Sequence, residues 1–237
     1  MRNNIRMKCR PDVWLMIALS LLLLLLTLAG CSQAPGVGAV MTPVRPQELD
    51  AIEKEVNSYV PDPRYPDDRF ILVTIREGLK GARERNGGIG ACLVRKETGE
   101  IIEQTHNRQY EPYFRSDLHA EMDLLDRYEE RNKLTRSRDP HDPTYRNPRN
   151  MKGIVLYTSV EPCPMCLSRI INSGLKELYY AAPDKDGGMS HRFENLPPSW
   201  KRMAEGMINA PARCSPKLKA LAASLFRPMY AAGMHKQ

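Results

Sequence analysis

The sequence lacks the cysteine content and the apolar content that two large classes of protein need. Six cysteines among 237 residues are too few for a small scaffold held together by disulfides. The mean hydropathy of −0.48 excludes a polytopic membrane protein. The hydrophobic share of 42% and the charged share of 27% are ordinary for a soluble domain, and they exclude a disordered or fibrous chain. The length allows one globular domain and an appendage.

The one long apolar run of the sequence lies at the N-terminus. Val13–Ala29 is a nearly unbroken apolar stretch of 17 residues behind a basic segment, whereas a transmembrane helix usually needs about 20 apolar residues. A basic start, a short apolar run and small residues behind it are typical of a secretory signal. The run ends in Leu28-Ala29-Gly30-Cys31, which resembles a bacterial lipobox, in which the cysteine is lipidated and becomes the new N-terminus. We therefore predict a lipoprotein signal peptide over residues 1–30 and lipidation of Cys31, with an uncleaved signal anchor as the alternative.

Cleavage before Cys31 changes the charge balance and the expected location of the chain. The remaining 207 residues hold 31 basic and 27 acidic side chains, a net charge of +4, so composition carries no strong argument for nucleic-acid binding. The lipid would hold the domain on a membrane face. Ser32 follows the cysteine, where an aspartate would have resembled the inner-membrane retention signal. We predict a location in the cell envelope, with the outer membrane and the periplasmic side favoured.

Prolines and glycines divide the rest of the chain into three parts. We predict a tether and N-terminal helical extension over residues 31–66, a main domain over 67–190, and a C-terminal helical extension over 191–237. Helices are predicted at Pro46–Val60, from Asp67 or Asp68 to about Asn86, and at Leu118–Tyr128, Pro164–Ser173 and Pro216–Ala232. Strands are predicted at Ile89–Val94, Ile101–Thr105, Gly153–Thr158 and Leu178–Ala182. This order favours an α/β fold with a mixed sheet covered by helices.

Two short motifs contain candidate catalytic or metal-binding residues. Each motif taken alone also has an interpretation that involves no catalysis. His119-Ala120-Glu121 stands at the start of a predicted helix, and such a pattern on a charged helix is usually solvated surface. Pro162-Cys163-Pro164-Met165-Cys166 follows a predicted strand. A single pair of cysteines with this spacing can be redox-active, structural or a disulfide.

Together the two motifs provide the groups of a catalytic zinc site. Such a site takes three protein ligands and keeps one open position for water, and His119, Cys163 and Cys166 supply three. Cysteines three residues apart at a helix start share one face, and a helix N-terminus favours their thiolates. Glu121 and His119 can serve one zinc only if the metal lies beyond the N-terminal end of their helix. Glu121 then has a task of its own, which is to move a proton.

The combined pattern resembles the cytidine and deoxycytidylate deaminase-like family of zinc enzymes, nearest in motif to guanine deaminases and tRNA adenosine deaminases. The resemblance covers about Asp68–Gly188 and includes Ile89–Val94, similar to the family's first strand, and Leu156–Glu161, which leads into the cysteine motif. It implies a three-layer α/β/α fold with a mixed central sheet, and a deaminase-like catalytic domain over 67–190. Asn107 resembles the asparagine that hydrogen-bonds the base.

The resemblance also implies a mechanism. Zinc (Zn²⁺) on His119, Cys163 and Cys166 activates water, and Glu121 accepts its proton. Attack falls on the amine-bearing ring carbon while Glu121 protonates the adjacent ring nitrogen, and ammonia leaves. The backbone N–H of Ala120 would resemble the family's donor to the Watson–Crick edge of the ring.

We therefore expect a lipid-anchored, zinc-dependent hydrolytic deaminase of a free nucleobase, nucleoside or related amino-heterocycle. Three alternatives stay open: a non-catalytic zinc-stabilised envelope module, a nucleic-acid-editing deaminase, and a thiol oxidoreductase using Cys163 and Cys166. Nucleic acid is the less expected partner, because a secreted lipoprotein would not meet tRNA. Relatives usually carry small residues just after the second cysteine, where this chain has Arg169, so a homodimer is also left open.

Three further features have two interpretations each. The basic segment 131–152 is either a solvated loop or an anion-binding lid. Cys92 and Cys214 are either separate thiols or a disulfide in an oxidising envelope. Phe226 and Tyr230, four residues apart, are packing residues in the favoured interpretation and a platform for the base in the other.

Overall fold

The helices and strands follow one another in a mixed order along the chain. The computed structural model describes residues 45–132, 138–139, 141 and 151–226. In chain order the elements are α1 (Pro46–Ser58), α2 (Asp68–Arg83), β1 (Gly90–Arg95), β2 (Ile101–His106), α3 (Ala120–Asn132), β3 (Ile154–Val160), α4 (Pro164–Ser173), β4 (Glu177–Ala182), a 3₁₀ helix (Ser190–Asn195), α5 (Pro198–Met203), β5 (Ile208–Pro211) and α6 (Pro216–Leu225). The predicted signal peptide, Cys31, Tyr230 and most of the basic segment lie outside the described residues. Among the helices within them, none combines the length and the apolar character that crossing a membrane requires.

The strands form one mixed sheet in the order β2-β1-β3-β4-β5. β1 is antiparallel to both β2 and β3, whereas β3, β4 and β5 run parallel to one another. All seven residues of β3 are buried, as expected for a central strand covered on both faces. The predicted α/β class with a mixed sheet and covering helices is confirmed.

Helices cover both faces of the sheet because successive side chains of each strand point to opposite sides. Cys92 and Val94 of β1 belong to a core that α1, α2 and α6 complete. Ala91 and Leu93 belong to a second core, completed by α3, α4 and α5. The layers therefore stack as helices, sheet and helices. The N-terminal ends of α3 and α4 lie in the same layer, on one face of the sheet.

The C-terminal region adds a strand that the sequence analysis did not predict. Residues 208–211 pair in parallel with β4 and form an edge of the sheet. Four residues ending in Pro211 show no usable alternation, and the pairing is fixed by partners far along the chain: the Ile208 N–H donates to the Lys176 carbonyl, and the Ala212 N–H to the Tyr180 carbonyl. The C-terminal helix α6 is shorter than the predicted helix Pro216–Ala232, and it ends at Leu225.

Two buried aspartates at the start of α2 join the N-terminal and C-terminal segments of the fold. Asp68 is fully buried, accepts a hydrogen bond from the Tyr59 hydroxyl, and accepts another from the Ser215 N–H at 2.7 Å. Asp67 accepts a hydrogen bond from the Arg213 N–H, also at 2.7 Å. Buried polar groups contribute to stability only while such partners are present. These carboxylates therefore hold α6 and the segment after α1 against α2.

We expect Asp68→Ala to lower the free energy of unfolding by about 2–4 kcal/mol, because it leaves buried donors without an acceptor. Urea denaturation of the zinc-loaded protein measures the change. Asp50→Ala is the matched control, since the Asp50 side chain is 68% exposed and pairs with Arg83 at the surface. Equal free energies of unfolding for the two variants would show that the buried Asp68 carboxylate does not stabilise the fold.

Candidate metal centre and active site

Two helix starts bring the predicted zinc ligands together. His119 directly precedes α3, Cys163 is the N-cap of α4, and Cys166 lies in the first turn of α4. The Nδ1 atom of His119 lies 3.7 Å from the Cys163 sulfur and 3.5 Å from the Cys166 sulfur. The ligand atoms of all three residues lie within 4.8 Å of one another. Residues that are 44 or more positions apart in the chain thus face one point in space.

The spacing of these atoms fits a tetrahedral zinc ion. Zinc–sulfur bonds of about 2.3 Å and zinc–nitrogen bonds of about 2.0–2.1 Å place nitrogen and sulfur about 3.6 Å apart at a tetrahedral angle. The observed distances of 3.5 and 3.7 Å lie on either side of that value. Two thiolates and one imidazole leave the fourth position for water, which is the pattern of catalytic zinc.

The cysteines differ in their acidity. A hydrogen bond from Cys166 and another from His119 lower the pKa of Cys163 to about 4, against the opposing effect of burial. The same hydrogen bond to Cys163, together with burial, raises the pKa of Cys166. Zinc takes cysteine as the thiolate, so metal binding must release the Cys166 proton.

Glu121 lies beside the ligand set without belonging to it. Its side chain is in the first turn of α3 and is only 4% exposed. The Thr158 hydroxyl donates a hydrogen bond of 3.2 Å to the Glu121 carboxylate. Burial raises the pKa of Glu121, and the negative charge of Cys163 adds to that shift. A buried carboxyl with a raised pKa is suited to taking up and returning a proton.

The two predicted substrate-binding residues have different positions. Asn107 follows β2, is 3% exposed and lines a cavity beside the ligand set. Its side-chain oxygen accepts the Gln109 N–H at 2.9 Å, so the amide nitrogen is the atom it can offer to a substrate. Ala120 begins α3, is fully buried, and is not among the described residues that line the cavity. Its part as a backbone donor stays a prediction.

The cavity has a volume of about 430 Å³ and an acidic lining. Glu121, Glu161, Asp184 and Asp186 line it together with the zinc ligands, and none of the described lining residues is lysine or arginine. Sequence reasoning missed three of these four carboxylates. Glu161 directly precedes the cysteine motif, which is the only signal that could have singled it out.

Apolar side chains form another part of the cavity lining. Ile89, Val160 and Phe226 line the cavity, together with the ring of Tyr110. Phe226 also packs against the core of α1, α2 and α6. Phe226 therefore packs against the core, as the favoured interpretation predicts, and the same residue also lines the cavity.

Arg169 and the remaining cysteines have local roles in the described part of the chain. Arg169 is bound within the chain by Asp126 and Glu129 of α3, at 3.0 and 2.8 Å. Cys92 and Cys214 are both buried and free, so the disulfide between them is not formed. The Arg169 guanidinium thus joins α4 to α3.

Comparisons with known proteins agree with this geometry. Residues 65–182 match the model of the cytidine and deoxycytidylate deaminase zinc-binding region, and residues 144–221 match that of the MafB19-like deaminases. The tRNA-specific adenosine deaminase of Bacillus subtilis strain 168 is 34% identical over 130 residues, which cover 55% of this chain and 70% of that protein.

A solved structure supports the assignment of the fold. A structure from a study of A-to-I editing by tRNA:A34 deaminases at the wobble position of transfer RNA has a TM-score of 0.50 at 24% identity, over 66% of this chain and 98% of the other. Guanine deaminase from Nitrosomonas europaea has a TM-score of 0.49 at 17% identity, over 82% of this chain and 96% of the other.

These findings decide between the classes that the sequence left open. Deaminase relatives and a zinc-binding family favour an enzyme over a non-catalytic module or a thiol oxidoreductase. The donor set of His119, Cys163 and Cys166 supplies the zinc site that such a family requires. The chain belongs to the cytidine and deoxycytidylate deaminase zinc-binding family and is a zinc-dependent hydrolytic deaminase.

Proposed function

We propose that this deaminase acts on a free nucleobase, a nucleoside or a related amino-heterocycle. The observation that carries the proposal is the composition of the cavity lining, which includes four acidic residues and, among the described residues, no lysine or arginine. A nucleotide or an RNA strand brings phosphate groups, and like charges repel most strongly where water is partly excluded. A volume of about 430 Å³ lies within the usual range for small-molecule sites.

Each residue of the site has a separate role in the proposed reaction. His119, Cys163 and Cys166 would hold the zinc ion, which would supply a water of lowered pKa as the nucleophile. Glu121 takes a proton from that water and delivers it to the ring nitrogen beside the amine-bearing carbon, which becomes the site of attack. The Thr158 hydroxyl, 3.2 Å from the Glu121 carboxylate, holds the carboxylate in place for both transfers.

Substrate orientation comes from two polar contacts and from the apolar walls. The amide nitrogen of Asn107 donates to an acceptor on the ring, and the Ala120 N–H donates to the Watson–Crick edge. Ile89, Val160 and Phe226 offer apolar surface to a flat heterocycle. The carbon–nitrogen bond to the amine breaks, oxygen from water takes its place, and ammonia is released.

Editing of tRNA is the second candidate function. The 34% identity to the tRNA-specific adenosine deaminase of Bacillus subtilis favours it. An editing enzyme needs positive charge where the RNA backbone passes. No lysine or arginine is among the described residues that line the cavity, so we rank this function below deamination of a free base or nucleoside.

Ammonia release by the zinc-loaded protein separates the two functions. The substrates are adenine, guanine, cytosine, their nucleosides, and an RNA stem-loop with an adenosine in its loop. We expect deamination of at least one base or nucleoside and none of the stem-loop. Activity on the stem-loop alone would overturn the proposal in favour of editing.

We also propose that lipid on Cys31 holds the enzyme in the bacterial envelope, with its domain on the periplasmic side. The support is the sequence Leu28-Ala29-Gly30-Cys31 behind the apolar run. Metabolic labelling with a fatty-acid analogue should mark the wild type and Cys9→Ser, but not Cys31→Ser. Equal labelling of Cys31→Ser and the wild type would show that Cys31 is not the lipidated residue.

A further inference from the structure

The loop that follows β4 contributes to the cavity lining an acidic residue whose side chain has no partner among the described residues. Asp184 accepts hydrogen bonds from the N–H groups of Asp186 and Gly187, at 3.1 and 3.0 Å, so its own carboxylate closes the turn. Asp186 is one of the residues that line the cavity, and it is exposed. Within the described residues its side-chain carboxylate has no hydrogen bond or ion pair. It is therefore available to bind something else.

A buried carboxylate fixes the position of this loop. The Glu161 side chain is 1% exposed, and its oxygens accept the Asp184 N–H at 3.0 Å and the His191 N–H at 2.8 Å. The Nδ1 atom of His191 lies 2.7 Å from the same carboxylate. A Cβ atom added to Gly188 would lie 2.6 Å from the Glu161 carboxyl carbon, so the loop sits directly against it. Both ends of the loop, at Asp184 and His191, thus bind Glu161, which lies two positions before Cys163.

The depth of the cavity determines which part of a substrate meets Asp186. The reacting carbon must lie near the zinc ligands and the buried Glu121. Asp186 and Gly187 are the exposed members of the described lining, so they mark its open end. The part of the substrate farthest from the reacting carbon therefore faces Asp186.

We infer that Asp186 is a substrate-selecting residue, and that Glu161 and His191 are the positioning residues that hold it at the cavity. Its carboxylate accepts N–H or O–H groups from the far side of the heterocycle or its sugar, and it repels a phosphate at the same place. The inference rests on the proposed function and adds to it a residue that excludes nucleotides. Lys185 and Arg192 belong to the same region and are not among the described lining residues.

Binding measurements test the inference separately from catalysis. Calorimetry on the zinc-loaded full chain, in a Glu121→Gln background that prevents turnover, gives dissociation constants for adenosine, guanosine, cytidine and their 5′-monophosphates. We expect Asp186→Asn to shift the ratio of nucleoside to monophosphate affinity about 5–10-fold toward the monophosphate, as removal of one nearby like charge does. Lys185→Gln is the control, with less than a twofold shift toward the monophosphate.

Variants of the positioning residue provide a second measurement. We expect His191→Ala to shift the ratio as Asp186→Asn does, and His191→Asn to restore it, because an asparagine amide can still donate to Glu161. An unchanged ratio in Asp186→Asn, or binding of neither ligand by the parent, would overturn the inference. If the wild type deaminates no base or nucleoside while Asp186→Asn still shifts the ratio, the proposed function is wrong and the selection by Asp186 stands.

Discussion

Glu121→Gln is expected to keep about one zinc per chain and to lose about 10²–10⁴-fold in deaminase rate. The amide has nearly the shape of the carboxylate and leaves the ligand set of His119, Cys163 and Cys166 intact. It cannot carry a proton from water to the ring nitrogen. Elemental analysis and ammonia release, measured on one preparation, separate these two effects.

The matched control for this variant is Glu129→Gln. Glu129 lies on the same helix but pairs with Arg169, away from the cavity lining. We expect it to keep both zinc and activity. Full activity in Glu121→Gln would remove Glu121 from the mechanism, and loss of zinc together with activity would make it a ligand or a fold element instead.

Cys163→Ala is expected to lower the zinc content from about one per chain to near zero, and activity with it, because two protein ligands hold zinc far more weakly than three. The Cys163 sulfur is 3.7 Å from the His119 nitrogen, and no other described residue completes the set. Elemental analysis of purified protein measures the change.

Cys214→Ala controls for the loss of a cysteine as such. Cys214 is buried and free, and it contacts the α2 side of the sheet rather than the ligand set. We expect this variant to retain zinc and activity. Zinc that survives Cys163→Ala would show that the metal is held elsewhere.

The sequence predicted the ligand set because zinc chemistry restricts both residue type and spacing. Histidine and cysteine are uncommon residues. Two cysteines three residues apart at a helix start lie on the same face of that helix, so both sulfurs can reach one metal ion. The condition that the metal lies beyond the end of the histidine helix agrees with the structure, where His119 precedes α3 and Glu121 lies in its first turn. The nitrogen that faces the sulfurs, Nδ1, was not predictable, since it depends on the side-chain torsion.

Other features had no local signal. Strand β5 is four residues long, and it forms by pairing in parallel with the edge of β4 that β3 leaves free. Arg169 indicated from the sequence only a departure from relatives. Its two acidic partners on α3 became visible once α3 and α4 were packed together. Phe226 reads as one apolar residue of a tail helix, and only the packing of α6 places its ring at the cavity.

The sequence by itself determined the α/β class and the candidate zinc ligands, because each depends on short patterns with few physical solutions. The tertiary structure alone decided which acidic and which apolar residues line the cavity. In the sequence, Glu161, Asp184 and Asp186 are acidic residues without a distinguishing pattern, and they lie in two separate segments. They line one cavity because β3 and β4 run parallel, which brings the chain segments after both strands to the same edge of the sheet.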